Sequence, residues 1–243
     1  MKKGLYDKFL SIVLTILIIG IIGAAGYLVY KYYQKYKIND DANAFLNEFN
    51  NYINDVNEVN NVNENITDEE LLYDPELENQ AIEEQTSGNT TVRGISTNAL
   101  NYKGYNVAGK LEMPTVNLQY PVLGEKTVAD GSWQITDANA IEVSVAIQYG
   151  VGLNNVGNTV IIGHNYRSGL FFGSNKNLQV GDTIYITDSE TGTRREYKIY
   201  NKYTTEESDT SFYTRNTEGK REVSLVTCQS NNNYRLVVLA REV

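Results

Sequence analysis

The chain is 243 residues long, carries a formal net charge of −9, and contains one histidine and one cysteine. That length holds one domain of ordinary size plus additional segments. A single thiol excludes an internal disulfide, and the acidic balance, with no basic cluster interleaved with aromatics, argues against nucleic acid as a partner.

Phe9 to Tyr30 (FLSIVLTILIIGIIGAAGYLVY) carries no charge, and a helix needs about 20 such residues to cross the hydrocarbon core of a bilayer. The run reads as a retained membrane span over residues 9–30. A cleaved signal peptide is the competing reading, since Ala24-Ala25-Gly26 has the composition of a processing site, but the apolar run exceeds the roughly 7–15 residues of a signal h-region. Lys2, Lys3 and Lys8 on one side are matched by Lys31, Lys35 and Lys37 on the other, so flanking charge sets no orientation. No second apolar span follows. We take residues 1–38 as tail and anchor.

From Asn39 to Val92 the chain is acidic and asparagine-rich, with no lysine or arginine, and this segment accounts for the whole negative balance. Phe45, Phe49, Tyr52, Ile53, Val56 and Val59 recur at three- and four-residue spacing, which predicts an amphipathic helix. As a whole, 39–92 reads as a solvated acidic stalk, the usual state of acidic segments of low hydrophobicity. The sharper alternative is a flap in which Leu71-Leu-Tyr-Asp-Pro75 folds back onto a groove.

Beyond Val92 the pattern changes to short β-rich runs separated by turn residues, and 93–243 reads as one all-β domain with short helices. Val107–Leu111, Leu118–Leu123, Thr159–Gly163, Thr183–Thr187, Arg195–Tyr203, Glu222–Cys228 and Arg235–Arg241 are the expected strands. Ala138–Tyr149 has apolar positions at mixed spacing and reads as a short helix. Gly181 and Gly192 supply turns through their access to positive φ. Short strands with turns between them imply a closed or nearly closed sheet.

The scarce residues sit at strand ends. His164 closes Asn158-Thr-Val-Ile-Ile-Gly-His164, Cys228 closes Glu222-Val-Ser-Leu-Val-Thr-Cys228, and Arg235 opens Arg235-Leu-Val-Val-Leu-Ala240. Gln229-Ser-Asn-Asn-Asn-Tyr234 has strong turn composition and would join the last two runs into an antiparallel hairpin. Facing residues in such a pair have Cβ atoms about 4.5–5.5 Å apart. There the guanidinium lies beside the thiol, and its rigid donor fork suits a developing oxyanion. A register slip of one residue would turn one of the two side chains to the other face. Taken singly, a lone cysteine is more often a small buried hydrophobe and a lone histidine a structural residue. Their joint position, a nucleophile, a proton carrier and a fixed positive charge, is what thiol-dependent acyl transfer requires.

This arrangement resembles the sortases, the membrane-anchored cysteine transpeptidases of Gram-positive bacteria. The likeness runs in order through Leu111-Glu-Met-Pro114, Tyr120-Pro-Val122, Gly157-Asn-Thr-Val-Ile-Ile-Gly-His164, Leu178-Gln-Val-Gly-Asp182 and Leu225-Val-Thr-Cys228, then Arg235. It implies an eight-stranded β-barrel, an N-terminal anchor with a cytoplasmic N-terminus and the domain outside the cell, and a catalytic site of His164, Cys228 and Arg235. It further implies that Cys228 attacks the Thr–Gly-type bond of a sorting signal similar to Leu-Pro-x-Thr-Gly on a secreted protein. His164 would carry the proton, Arg235 would hold substrate and oxyanion, and a cell-wall amine such as a peptidoglycan precursor would resolve the thioacyl intermediate. No metal or organic cofactor is implied.

Pilin-polymerising relatives carry Asp-Pro followed by an aromatic residue and usually a C-terminal span, whereas here Asp74-Pro75 precedes Glu76. Asn201–Arg221 is too short for the helical insertion of the family's second class. These departures favour an anchoring enzyme, with a pilin polymerase as the alternative. Papain-like peptidases place cysteine before histidine, and L,D-transpeptidases expect Ser-x-Gly-Cys, so both fit less well. A non-catalytic surface β-domain that only binds sorting signals is the competitor from another class, and it predicts an inert, buried Cys228.

Overall fold

The computed structural model describes residues 3–65, 100–127, 131–229 and 233–243. The chain divides into two compact units, one ending at Ala42 and one from Asn43 to Val243. Helix α1 (Lys3–Asn65) runs through the division. Its N-terminal portion is the one helix among the described residues long and apolar enough to span a membrane, and none of its apolar window is buried. The other unit comprises the rest of α1 and all the strands.

In chain order the strands are β1 (Asn101–Tyr102), β2 (Tyr105–Met113), β3 (Leu118–Leu123), β4 (Glu125–Lys126) and β5 (Trp133–Gln134). After a short helix α2 (Ala140–Val143) come β6 (Val145–Gly150), β7 (Gly157–Ile162), β8 (Thr183–Asp188), β9 (Arg194–Glu206), β10 (Arg221–Cys228) and β11 (Tyr234–Glu242). Nine of them form one sheet in the order β1-β2-β3-β6-β7-β10-β11-β9-β8, and β2 also pairs with β8. That last pairing closes eight strands into a barrel, with β1 appended outside. Gly109 lies at the closure, where a Cβ would sit 2.1 Å from the Thr187 carbonyl oxygen, so only glycine lets β2 meet β8 there. Two pairings are parallel, β3 with β6 and β7 with β10.

Seven of the eight barrel strands lie where the β-rich runs predicted them. The eighth is a correction. Only Ala140–Val143 of the expected helix Ala138–Tyr149 is helical, and Val145–Gly150 is strand β6, pairing with both β3 and β7. Four consecutive buried residues, Ser144 to Ile147, erase the alternation that would have marked a strand. The expected turns at Gly181 and Gly192 are present, with φ of 96° and 70°.

Within the larger unit, the helical spacing of Phe45, Phe49 and Ile53 produces one apolar face, buried in a cluster with Tyr102, Val107, Leu123, Ala140 and Ala146. Phe45 meets the Tyr102 ring at 4.9 Å between centroids, and Lys110 Nζ donates to Asn50 Oδ1 at 3.0 Å. Over these residues the acidic segment is packed on the barrel rather than solvated, because its aromatic stripe has an apolar partner to cover. Tyr73-Asp-Pro75, the sequence considered for a flap, lies outside the described residues.

One face of the β10–β11 pair carries a ladder. Glu222 faces Arg241, Ser224 faces Leu239, Val226 faces Val237 and Cys228 faces Arg235. Phe212, from the connection between β9 and β10, covers its apolar middle. At the far end the fully buried Glu222 carboxylate accepts from Tyr200 Oη at 2.8 Å, Arg215 Nε at 2.8 Å and Arg241 Nε at 2.6 Å. Burial alone would raise this carboxyl, but the hydrogen bonds from Tyr200, Arg241 and Arg215 outweigh it and hold Glu222 below the usual carboxylate range.

Two expectations follow from this packing. Phe49→Ala removes a fully buried ring and should lower unfolding free energy by about 3–5 kcal/mol in urea titrations. Because the Glu222 carboxyl is depressed in the folded state, its contribution is present above the ordinary carboxylate value of about 4.3 and is lost as pH falls through the lower folded value. Glu222→Gln should therefore cost about 3 kcal/mol at neutral pH and flatten the acid limb of the stability curve; an unchanged acid limb would show that other carboxylates dominate it.

Candidate active site

The ladder brings the three residues singled out in the sequence to one end of the barrel. Cys228 and Arg235 are directly opposed across the antiparallel β10–β11 pair. On the other side of β10, the parallel β7 pairs Glu222 with Asn158, Ser224 with Val160 and Val226 with Ile162. Two residues further along each strand stand Cys228 and His164. Alternation along the strands gives Ile162, Val226 and Val237 one face, and the three polar residues continue it. All three line one groove of about 490 Å³, together with Tyr166, Phe172 and Glu207.

Local chemistry fixes where His164 emerges. At the preceding Gly163 a Cβ would stand 2.9 Å from Val145 Cγ1 and 3.1 Å from the Phe172 ring, so the strand end can pack this closely only without a side chain. Gly163 N–H donates to the Val226 carbonyl at 3.3 Å, and Thr227 Oγ1 donates back to the Gly163 carbonyl at 2.6 Å. Asn165 Nδ2 donates to the Cys228 carbonyl at 2.6 Å, tying the segment after the histidine to the cysteine itself. Phe172 N–H closes the turn onto the His164 carbonyl at 3.0 Å. Phe171 sits at φ 49°, a conformation that costs a non-glycine residue about 1–3 kcal/mol. Its N–H donates to Tyr120 Oη at 3.0 Å, and its ring packs against those of Tyr120 and Tyr166.

Two of the groove's nitrogen-bearing side chains, His164 and Arg235, have carboxylate partners. Glu142, on α2, lies 2.9 Å from His164 Nε2 through Oε1 and accepts from Tyr166 Oη at 2.9 Å through Oε2. Burial, reinforced by that hydrogen bond and the charge of Glu142, pushes the Tyr166 hydroxyl up to about 12. Arg235 Nη2 donates to Glu207, the first residue after β9. Sequence reasoning missed Glu142, Tyr166, Asn165 and Glu207: in a chain this rich in acids and asparagine, none is distinguished by type or spacing. Cys228 is partly exposed and is the free thiol of the chain. The arrangement thus has a reachable sulfur nucleophile, an oriented imidazole and a guanidinium fork. Among the described residues, no group of three or more His, Cys, Asp or Glu side chains is set to hold a metal ion.

The connection from Glu207 to Lys220, which leads into the cysteine strand, holds turns and no helix. A second cleft of about 290 Å³, lined by Tyr105, Asn106, Glu125 and Asp137, contains neither a thiol nor an imidazole. Chemistry of the kind described is confined to the groove at the ends of β7, β10 and β11.

The chain matches the family model of the sortase domain over residues 111–243. It is 28% identical over 135 residues to sortase A of Bacillus anthracis, a match covering 54% of this chain and 58% of that protein. Among solved structures it is similar to sortase A from Corynebacterium diphtheriae, at 23% identity over 57% of this chain and 61% of that chain with a TM-score of 0.48. Sortase A of Listeria monocytogenes is similar at 19% identity, covering 56% of this chain and 87% of that chain, with a TM-score of 0.46. The chain spans 58% of the length of its curated relative. Since the family model takes in more than half of the chain and every residue of the groove, this chain belongs to the sortase family.

Proposed function

We propose that this chain is a membrane-anchored cysteine transpeptidase that joins secreted proteins bearing a C-terminal sorting signal to a cell-wall amine. The observation that carries the reading is the row of His164, Cys228 and Arg235 across three adjacent strand ends in one groove. Residues 1–38 serve as tail and anchor, crossing the membrane through 9–30 with the N-terminus cytoplasmic and the groove outside. Residues 39–92 link anchor to domain, with α1 docked on the barrel from Asn43, and 93–243 form the catalytic barrel.

In the proposed cycle the Cys228 thiolate adds to the carbonyl carbon of the Thr–Gly-type bond in an Leu-Pro-x-Thr-Gly-like signal. Arg235 leaves Glu207 and donates to the oxyanion, whose negative charge grows as the tetrahedral adduct forms. Collapse breaks the C–N bond; the imidazolium of His164 gives its proton to the leaving amine, and the acyl group remains on Sγ as a thioester. The incoming amine then loses a proton to neutral His164 and attacks the thioester, forming the new amide and releasing the thiolate. The two half-reactions return every proton and no cofactor enters.

The test is incubation of the protein with a panel of sorting-signal peptides and an amine, with mass spectrometry for the ligated product. Cys228→Ala should abolish cleavage and ligation together, and His164→Ala should remove nearly all turnover, because the chain holds no second thiol or imidazole. Peptide binding without any thioester or product would instead leave a non-catalytic sorting-signal receptor. Pilin subunits accepted as the amine donor in place of a cell-wall amine would identify the polymerising subclass.

Arg235 separates into charge and shape. Arg235→Lys keeps the charge and loses the fork, and should cost about 100-fold or more in kcat; near-wild-type turnover would reduce the residue to a general positive field. Glu207→Gln removes a competitor for the guanidinium. As an exposed ion pair is worth about 0–1 kcal/mol, this change should lower KM for the peptide by up to about fivefold without lowering kcat. A raised KM would assign Glu207 to substrate binding instead.

A further inference from the structure

We propose that Glu142 is a positioning residue for His164: its carboxylate, shared with Tyr166, holds the imidazole in one orientation and keeps the neutral ring's proton on Nε2, leaving Nδ1 to exchange protons with substrate. This rests on the transpeptidase reading only for the word substrate. The ring placement stands on geometry alone.

The carboxylate is held at both oxygens. Oε2 accepts from the Tyr166 hydroxyl at 2.9 Å, and Oε1 meets His164 Nε2 at 2.9 Å. A phenol whose hydroxyl is pushed up to about 12 remains a donor throughout neutral pH, so the Tyr166 contact cannot invert. A carboxylate oxygen accepts, and the nitrogen facing it must therefore carry hydrogen. The neutral imidazole has one N–H, which this contact assigns to Nε2.

The supports are also fixed. Glu142 lies in α2, whose C-terminal residue is followed by Ser144, and Ser144 Oγ donates to the Pro121 carbonyl at 2.6 Å in a buried contact. The strand that follows pairs directly with the strand bearing the histidine, Ala146 with Ile162 and Ile147 with Ile161. Tyr166 packs between the His164 ring at 5.3 Å and the Phe171 ring at 5.7 Å. A lone exposed carboxylate would swing among rotamers; this one, although 60% exposed, is attached at two points, to Tyr166 and to His164, whose rings pack against each other.

The consequence is economical proton handling. In acylation the imidazolium gives the Nδ1 proton to the leaving amine, and in deacylation Nδ1 takes a proton from the incoming amine. Nε2 keeps its hydrogen bonded to Glu142 throughout. No tautomer exchange or ring flip is needed between the two half-reactions.

His164 is the single histidine, so the full chain in detergent, labelled with ring-¹⁵N histidine, gives one pair of nitrogen resonances. Above the imidazole titration the wild type should show Nε2 protonated and Nδ1 unprotonated. Glu142→Ala should give a mixture of tautomers and lower kcat by about tenfold to a hundredfold, with little change in KM. Glu142→Gln, which retains an acceptor oxygen, should restore the Nε2–H form, a rescue that a merely structural role would not give. Tyr166→Phe keeps the packing and removes one anchor, and should shift the tautomer ratio in the same direction as Glu142→Ala, which keeps the test decisive if the alanine variant unfolds. A wild-type ring protonated at Nδ1, or a tautomer ratio unmoved in Glu142→Ala or in Tyr166→Phe, would overturn the proposal. The resonances need no peptide. A chain with the Nε2–H ring that ligates nothing would sink the transpeptidase reading and leave the role of Glu142 standing.

Discussion

The groove depends on the register between β10 and β11. Side chains alternate along a strand, so a shift of one residue would carry Cys228 or Arg235 to the interior of the barrel. What prevents the shift is the rest of the ladder on the same face. Val226 against Val237, under Phe212, supplies apolar contact, and Glu222 against Arg241 supplies a buried ion pair. Slipping the pair would expose the valines and strand a fully buried carboxylate without its guanidinium, a loss of several kcal/mol. The chemistry at one end of the ladder is therefore held in place by an ion pair at the other.

A similar dependence governs His164, which stands past the last paired residue of β7 and has no ladder of its own. Its direction is set by the absence of a side chain at Gly163, by the bond from Thr227 across to the Gly163 carbonyl, and by the amide of Asn165 on the Cys228 carbonyl. The two hydrogen bonds run to the backbone of the turn and of β10, so they tie together the strand ends that carry the imidazole and the thiol. The strained φ of Phe171 is held by Tyr120 and the aromatic layer beneath. Strain of about 1–3 kcal/mol beside a groove persists only where packing over-determines it.

Much of this could be read in the chain beforehand, and the parts that could not share a physical cause. Strand ends at His164, Cys228 and Arg235 were legible because scarce residues closed or opened strongly β-branched runs. Strand β6 was not, because it is short, lies directly after a helical turn, and is buried over consecutive residues, so neither period is displayed. The apolar face of α1 was legible in the spacing of Phe45, Phe49 and Ile53. Its docking was not, since acidic composition argued for solvation and nothing local announced the cluster around Tyr102 and Leu123. Glu142 and Glu207 reach their partners across 22 and 28 residues of chain, and common residues at long range leave no mark in a single sequence.

The two carboxylates that meet the groove's histidine and arginine differ in a way that bears on its resting state. Glu207 and Glu142 are equally exposed, at 61% and 60%, and an exposed pairing is worth about 0–1 kcal/mol; what distinguishes Glu142 is its second donor, Tyr166 Oη. In the proposed cycle a developing oxyanion, appearing only as the thiolate adds, would be the stronger acceptor and would displace Glu207 from Arg235 at little cost. Glu142 would meet no comparable competitor in that cycle, because its two partners, Tyr166 and His164, would act as donors in both half-reactions. The proposed two-step acyl transfer would ask for an arginine that is released and a histidine that stays anchored in one groove. The fork would then adapt to a carbonyl that changes geometry, whereas the proton carrier would serve two amines from the same position.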